Sequence, residues 1–281
     1  MRRALLTLGL SVLVAACSPG GAGNGPAGGT EPRRIVSLDY CADQYVLRFA
    51  DRQEIAAVSP DADARFSYMR ARAKGLPQVR PRTADILILQ PDLVVRSYGG
   101  EPGIADALER AGVPVLQVGF PTDISEVRAE VRRIGAALGK AREAKALSDA
   151  VGRRIGRIAK APSGAEPELL YMTPAGVTSG PGTLVNDMIE AAGYRNFQTR
   201  AGWNPLPLER LAYDRPDVVA AAFFESATNH VDNWSAARHP VARAQLAELP
   251  VVPLEGAWTS CGGWFLIDAV EALAAARGAP V

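Results

Sequence analysis

The apolar positions of this chain fall into two blocks of short runs, separated by a stretch with helical spacing. In the first block, residues 34–38 read as a short buried strand, and the segment from Asp39 to Gln44 opens a helix. Asp39 or Asp43 caps that helix, and Tyr45, Val46, Leu47 and Phe49 form its apolar face. Residues 55–58 read as a second strand, 84–89 as a helix, 93–95 as a strand and 104–111 as a helix stopped by Gly112. Residues 113–118 are one more strand. Strand and helix alternate, which predicts a parallel sheet with helices on its faces.

The middle stretch lacks strand signals. Ile124, Val127, Val131, Ile134, Leu138, Ala141, Leu147, Val151, Ile155 and Ile158 recur near helical spacing, which predicts one long helix over 123–160. Gly135 and Gly139 each cost about 1 kcal/mol against alanine in a helix, so a kink there, or a hairpin of two helices, is the alternative. The strand–helix pattern then restarts, with strands at 169–172, 218–222 and 251–254 and helices at 182–192, 208–213 and 262–275. The two blocks echo each other. Asp85-Ile86-Leu87 followed by Pro91-Asp92-Leu93 returns as Glu209-Arg210-Leu211 followed by Pro216-Asp217-Val218. One repeat at this separation predicts two lobes of similar design.

The amino terminus adds a location. Arg2 and Arg3 precede an apolar run, residues 5–14, far too short to span a bilayer, and Ala15 and Ala16 then lead to Cys17. Residues 1–16 read as an export signal, and small-small-Cys resembles a bacterial lipoprotein signal. That resemblance implies cleavage before Cys17 and acylation of it, with enough buried methylenes for a stable anchor. Residues 17–32, mostly Gly, Ala, Pro and Ser, read as a flexible tether. The 281 residues hold 31 basic and 30 acidic side chains, a net charge of +1, so nothing points to nucleic acid.

Export, a lipid tether and two α/β lobes around a helix resemble the solute-binding proteins of ABC importers. A single-helix linker is similar to the class that carries cobalamin, haem and ferric siderophores. Residues 34–38 (Arg-Ile-Val-Ser-Leu), 90–95 (Gln-Pro-Asp-Leu-Val-Val) and 178–184 (Thr-Ser-Gly-Pro-Gly-Thr-Leu) carry the resemblance in order. It implies an α/β fold of two Rossmann-like lobes, 33–122 and 161–281, joined by one long helix over 123–160: the class III periplasmic binding protein fold. It further implies a monomer that is not an enzyme. Such a protein captures a metal chelate between its lobes, carries no cofactor of its own, and delivers its cargo to a permease and its ATPase from the periplasmic side of a membrane.

Broad, partly flat chelates are buried well by aromatic rings on facing rims. By resemblance, Tyr98, Trp203 and Trp258 are the candidate cleft aromatics. Cys41 and Cys261 stand at the first strand-to-helix turn and the last loop, which face the cleft from opposite lobes in this family. They read as a cleft-spanning disulfide, as thiols facing the ligand, or as inert thiols. Arginines suit anionic siderophores, and Arg96, directly after a strand, is preferred over Arg65, Arg80 and Arg82. Asp85 and Glu209, at equivalent helix starts, correspond to the family's permease-docking acids. Two other readings compete. A bare metal-ion receptor needs converging His and carboxylates, whereas His230 and His239 are the only histidines and lie close together in one lobe. An exported hydrolase needs a nucleophile elbow, and no Gly-x-Ser-x-Gly occurs.

Overall fold

The computed structural model describes residues 32–158, 166–224 and 234–277. The export signal, Cys17, the tether and His230 lie outside the described residues. In the first lobe the elements are β1 (Ile35–Ser37), α1 (Tyr40–Phe49), β2 (Ile55–Ala57), α2 (Arg70–Ala73), α3 (Thr83–Ile88), β3 (Leu93–Arg96), α4 (Ile104–Arg110) and β4 (Val115–Gln117). Its four strands pair in parallel in the order β2-β1-β3-β4. Parallel pairing buries both faces, and β1 and the first three residues of β3 are buried throughout, which is why these strands read as unbroken apolar runs.

The segment read as one long helix is two. α5 (Ile124–Ala137) and α6 (Ala141–Gly156) pack as a hairpin, the alternative reading. Gly139 takes φ +75°, a left-handed turn that glycine adopts freely, and Lys140 N–H closes it on Gly135 C=O at 2.7 Å. Gly135 has a different task. A Cβ placed there would lie 2.2 Å from that of Ala144, so the glycine lets the helices touch.

The second lobe contains β5 (Glu168–Met172), β6 (Val177–Ser179), α7 (Leu184–Ala191), β7 (Arg195–Asn196), β8 (Trp203–Pro205), α8 (Leu208–Leu211), β9 (Val218–Ala222), α9 (Pro240–Glu248), β10 (Val251–Leu254), α10 (Gly256–Thr259) and α11 (Leu266–Arg277). Its main sheet is again parallel, in the order β10-β9-β5-β7. β6 and β8 form a separate antiparallel pair that the sequence pattern does not announce. The internal repeat is physical. Asp92 accepts Arg33 and Arg34 N–H before β1, and Asp217 accepts Glu168 N–H at the start of β5. In each lobe the Pro-Asp turn therefore pins the entry of the first strand.

The lobes meet extensively. One apolar core runs from Ile35, Tyr45 and Phe49 through Val127, Val131 and Ile134 to Trp264, Phe265 and Val270. The hairpin braces both sides: Glu130 accepts Gly119 N–H and Lys140 donates to Asp51 in the first lobe, while Ile124 N–H donates to Asp187 and Arg154 to Glu271 in two bonds and to Asp268 at 2.6 Å in the second.

Candidate functional site

A cavity of about 520 Å³ opens between the lobes. Open parallel sheets bind ligands beyond the carboxyl ends of their strands, and that is where its walls come from. The first lobe supplies Tyr40 after β1, Tyr98 after β3 and Phe120 after β4. The second lobe supplies Trp203, the first residue of β8, with the Gly182–Leu184 turn and residues 259–262. Tyr98, Phe120 and Trp203 are 50%, 70% and 59% exposed, so their rings stand free to receive something.

One carboxylate builds much of this wall. Asp39 caps α1 by accepting Ala42 N–H at 2.9 Å, and its other oxygen accepts Ser97 N–H at 2.7 Å and Gly99 N–H at 2.9 Å. It thereby ties the loop that carries Tyr98 to the helix start that carries Tyr40 and Cys41. Gly99 permits the approach, since a Cβ there would sit 2.5 Å from Leu38 C=O. The two phenol rings then meet edge to face, with centroids 5.8 Å apart. Burial pushes both phenols up, and Tyr40 raises Tyr98 further, so both are neutral hydroxyls at neutral pH.

On the facing wall, Trp203 pairs with Ser179 across the small sheet and lies edge-on to Tyr171 at 6.2 Å. Gly180 N–H donates to Gly202 C=O at 2.9 Å, drawing the two turns together. The turn at Gly180 thus serves as the rim of the cavity.

Cys41 and Cys261 form a disulfide across the cleft, with Cα atoms 5.6 Å apart and 220 residues between them. Both line the cavity and both are half-buried. Beside them Tyr40 Oη donates to Ser260 C=O at 3.4 Å, Tyr45 Oη to Gly262 C=O at 3.2 Å, and Ser260 Oγ to Phe66 C=O at 2.9 Å. The cleft floor is thus stitched from lobe to lobe. Among the described residues that line the cavity there is no Asp, Glu, Lys, Arg or His.

Two parallel sheets with a ligand-sized cavity between them agree with a family profile, described as periplasmic binding protein, that matches residues 36–229. The chain belongs to the periplasmic binding protein family. A "Cobalamin-binding protein" of Halobacterium salinarum is 29% identical over 198 residues, which are 68% of this chain and 54% of the relative. The chain therefore spans about half the length of the curated relatives it matches. A solved periplasmic heme-binding protein from Pseudomonas aeruginosa superposes with a TM-score of 0.66 at 24% identity, over 89% of this chain and 94% of that one. The periplasmic heme-binding protein BhuT, solved in complex with two hemes, is 26% identical with a TM-score of 0.62, over 86% of this chain and 98% of that one.

The structure sorts the sequence-predicted residues of this periplasmic binding protein. Cys41, Tyr98, Trp203 and Cys261 come together around the cavity. Trp258 does not: it sits half-buried on α10, packed against the shared core rather than in the cavity wall. Arg96 does not either, because its guanidinium is bonded to Gly99 C=O and Gln117 at the edge of β3. Arg65, Arg80 and Arg82 are exposed outside the lining. Asp85 lies on α3 and Glu209 on α8, away from the cavity. Thr83, which begins α3, is held by Glu101 through both its N–H and its hydroxyl. His239 caps α9 by accepting Val241 N–H and takes no part in the cavity. Sequence reasoning missed Tyr40 and Phe120. Both directly follow strand ends, where the binding edge of a parallel sheet lies, and that rule was the available signal.

Proposed function

We propose that this protein is the substrate-capturing component of an ABC importer and binds a broad, ring-shaped metal chelate, with a corrinoid as the favoured cargo. The observation that carries this reading is the aromatic-walled cavity between the lobes, whose lining carries no charged side chain among the described residues. Its volume falls within the range of about 300–1,000 Å³ usual for ligand pockets. Facing rings bury a flat ligand surface at little entropic cost. Neutral hydroxyls and backbone groups at Tyr40, Tyr98, Thr183 and Ser260 suit a rim of neutral amides. A bare metal ion fits poorly, since the lining offers no carboxylate or imidazole. An anionic siderophore also lacks the guanidinium partner it favours. The cobalamin-binding relative supports the corrinoid. Haem is the second reading, supported by the heme-bound BhuT structure.

In this reading Cys17 holds a lipid anchor in the cell envelope, and Asp85 and Glu209 dock the two lobes on the permease. Charge reversal of both acids is expected to abolish uptake in cells while leaving ligand affinity unchanged, because neither lines the cavity.

Titration with hydroxocobalamin and with haem under tryptophan fluorescence tests the proposal. Saturable quenching by hydroxocobalamin, largely lost in Trp203→Phe and kept in Trp258→Phe, is the expected result. Trp203→Ala is expected to weaken binding about tenfold. Quenching by haem alone selects the second reading. A response to neither overturns the chelate assignment.

A further inference from the structure

We propose that the Cys41–Cys261 cystine sets the width of the binding cleft and makes ligand capture depend on the thiol redox state of the compartment. The inference rests on the proposed function only for the identity of the cargo. Three observations carry it. The cystine joins opposite lobes, whereas each half alone sits at the tip of a turn, Cys41 at the start of α1 and Cys261 in the loop before α11. Both sulfur-bearing residues line the cavity and are partly exposed, so a reductant reaches them in the empty protein and a bound ligand covers them. Beside the cystine the cleft floor is held by hydrogen bonds from Tyr40, Tyr45 and Ser260, each of which opening would exchange for bonds to water, while Tyr68 to Asp268 and the shared core hold the lobes behind it.

The α5–α6 hairpin braces the lobes away from this edge, bonded to the first through Lys140 to Asp51 and Glu130 to Gly119 N–H, and to the second through Ile124 to Asp187 and Arg154 to Asp268 and Glu271. With the cystine intact the lobes are tied at two separated places, and the rings of Tyr98, Phe120 and Trp203 stay at a fixed spacing. With it cut, the cleft edge loses its covalent tie, and the spacing of the two rims is free to vary about the shared apolar core and the hairpin. The cutting step is thiol–disulfide exchange with a dithiol reductant: its two thiols become a disulfide, and two electrons and two protons arrive on Cys41 and Cys261 as thiols. Because the oxidised cleft binds better, linkage requires that bound ligand also protect the cystine from reduction.

Two measurements on the full chain test this. The first compares the affinity of the oxidised protein and of Cys41→Ser/Cys261→Ser for hydroxocobalamin and haem. About tenfold weaker binding in the variant, through faster release, is expected. The second needs no ligand. Nitroxides attached through non-cysteine ketone side chains at positions Glu109 and Ala247 report the distance between lobes, before and after reduction by a phosphine and in the variant. A broader, longer distance distribution after loss of the cystine is expected. Equal affinity, or an unchanged distribution, overturns the proposal. If neither probe binds even the oxidised protein, the assigned cargo fails and the distance measurement alone decides the clamp.

Discussion

Asp39 and Asp43 sit four residues apart on the same helix, and the sequence offered both as its cap. Asp39 is the cap and also the strap of the Tyr98 loop. Asp43 is fully buried, accepts the N–H and hydroxyl of Ser59, and is pushed up to about 6 by its desolvation. A carboxyl raised in the folded state favours folding most while it is protonated, below its ordinary value of 3.8, and that contribution is lost as pH rises to about 6. Asp43→Asn has no such loss, and its amide keeps the Ser59 partners. Denaturation at several pH values is therefore expected to show the variant gaining on the parent by about 1 kcal/mol per unit between pH 4 and 6, and no further gain above that. At this scale the sequence was legible where one residue has one dominant driver. Tyr98 and Trp203, chosen by resemblance, do line the cavity, because each stands beside a glycine turn at the mouth of the cleft. Trp258 was misplaced because its position along the chain resembles a cleft residue while its ring prefers the core.

Elements were legible wherever a run was long enough to show its period. β1, β3, α4 and three strands of the second sheet, β5, β9 and β10, fell where apolar runs and flanking Gly and Pro put them, while the two-residue β7 was not foreseen. β6 and β8, three residues each, were not visible, because so short a strand leaves no alternation to count and its pairing is set by Gly180 and Gly202 far apart in sequence. The α5–α6 segment failed for the opposite reason. Its apolar positions keep helical spacing across the turn, so only the two glycines mark the break. Gly135 and Gly156 offer a matched pair of substitutions. An exposed glycine in a helix normally gains up to about 1 kcal/mol on becoming alanine. Gly156→Ala, with open space around its would-be Cβ, is expected to follow that rule. Gly135→Ala, which meets Ala144 at 2.2 Å, is expected to cost about 1–3 kcal/mol instead. Thermal melts of the two variants read the opposite signs directly.

At the scale of the molecule, the repeat of Pro-Asp turns announced two lobes, and Asp92 and Asp217 show why the repeat exists. What the sequence did not disclose is how firmly the lobes are joined. The pairing of Cys41 with Cys261 was only one of three readings, because residues 220 apart meet only once both lobes have folded. The cavity's lack of charge was equally hidden, since Arg96 stands beside a cleft strand yet turns its guanidinium to Gly99 and Gln117. That neutrality has a kinetic consequence. Charged clefts draw their ligands in through long-range fields that dissolved salt weakens. With a net charge of +1 and no charged side chain among the described residues that line the cavity, this protein has little such field to lose. Its association rate with hydroxocobalamin, followed by stopped-flow fluorescence from about 10 mM to 1 M sodium chloride, is expected to change less than about twofold. A cavity walled this way is expected to admit a ligand at the same rate in fresh water and in brine.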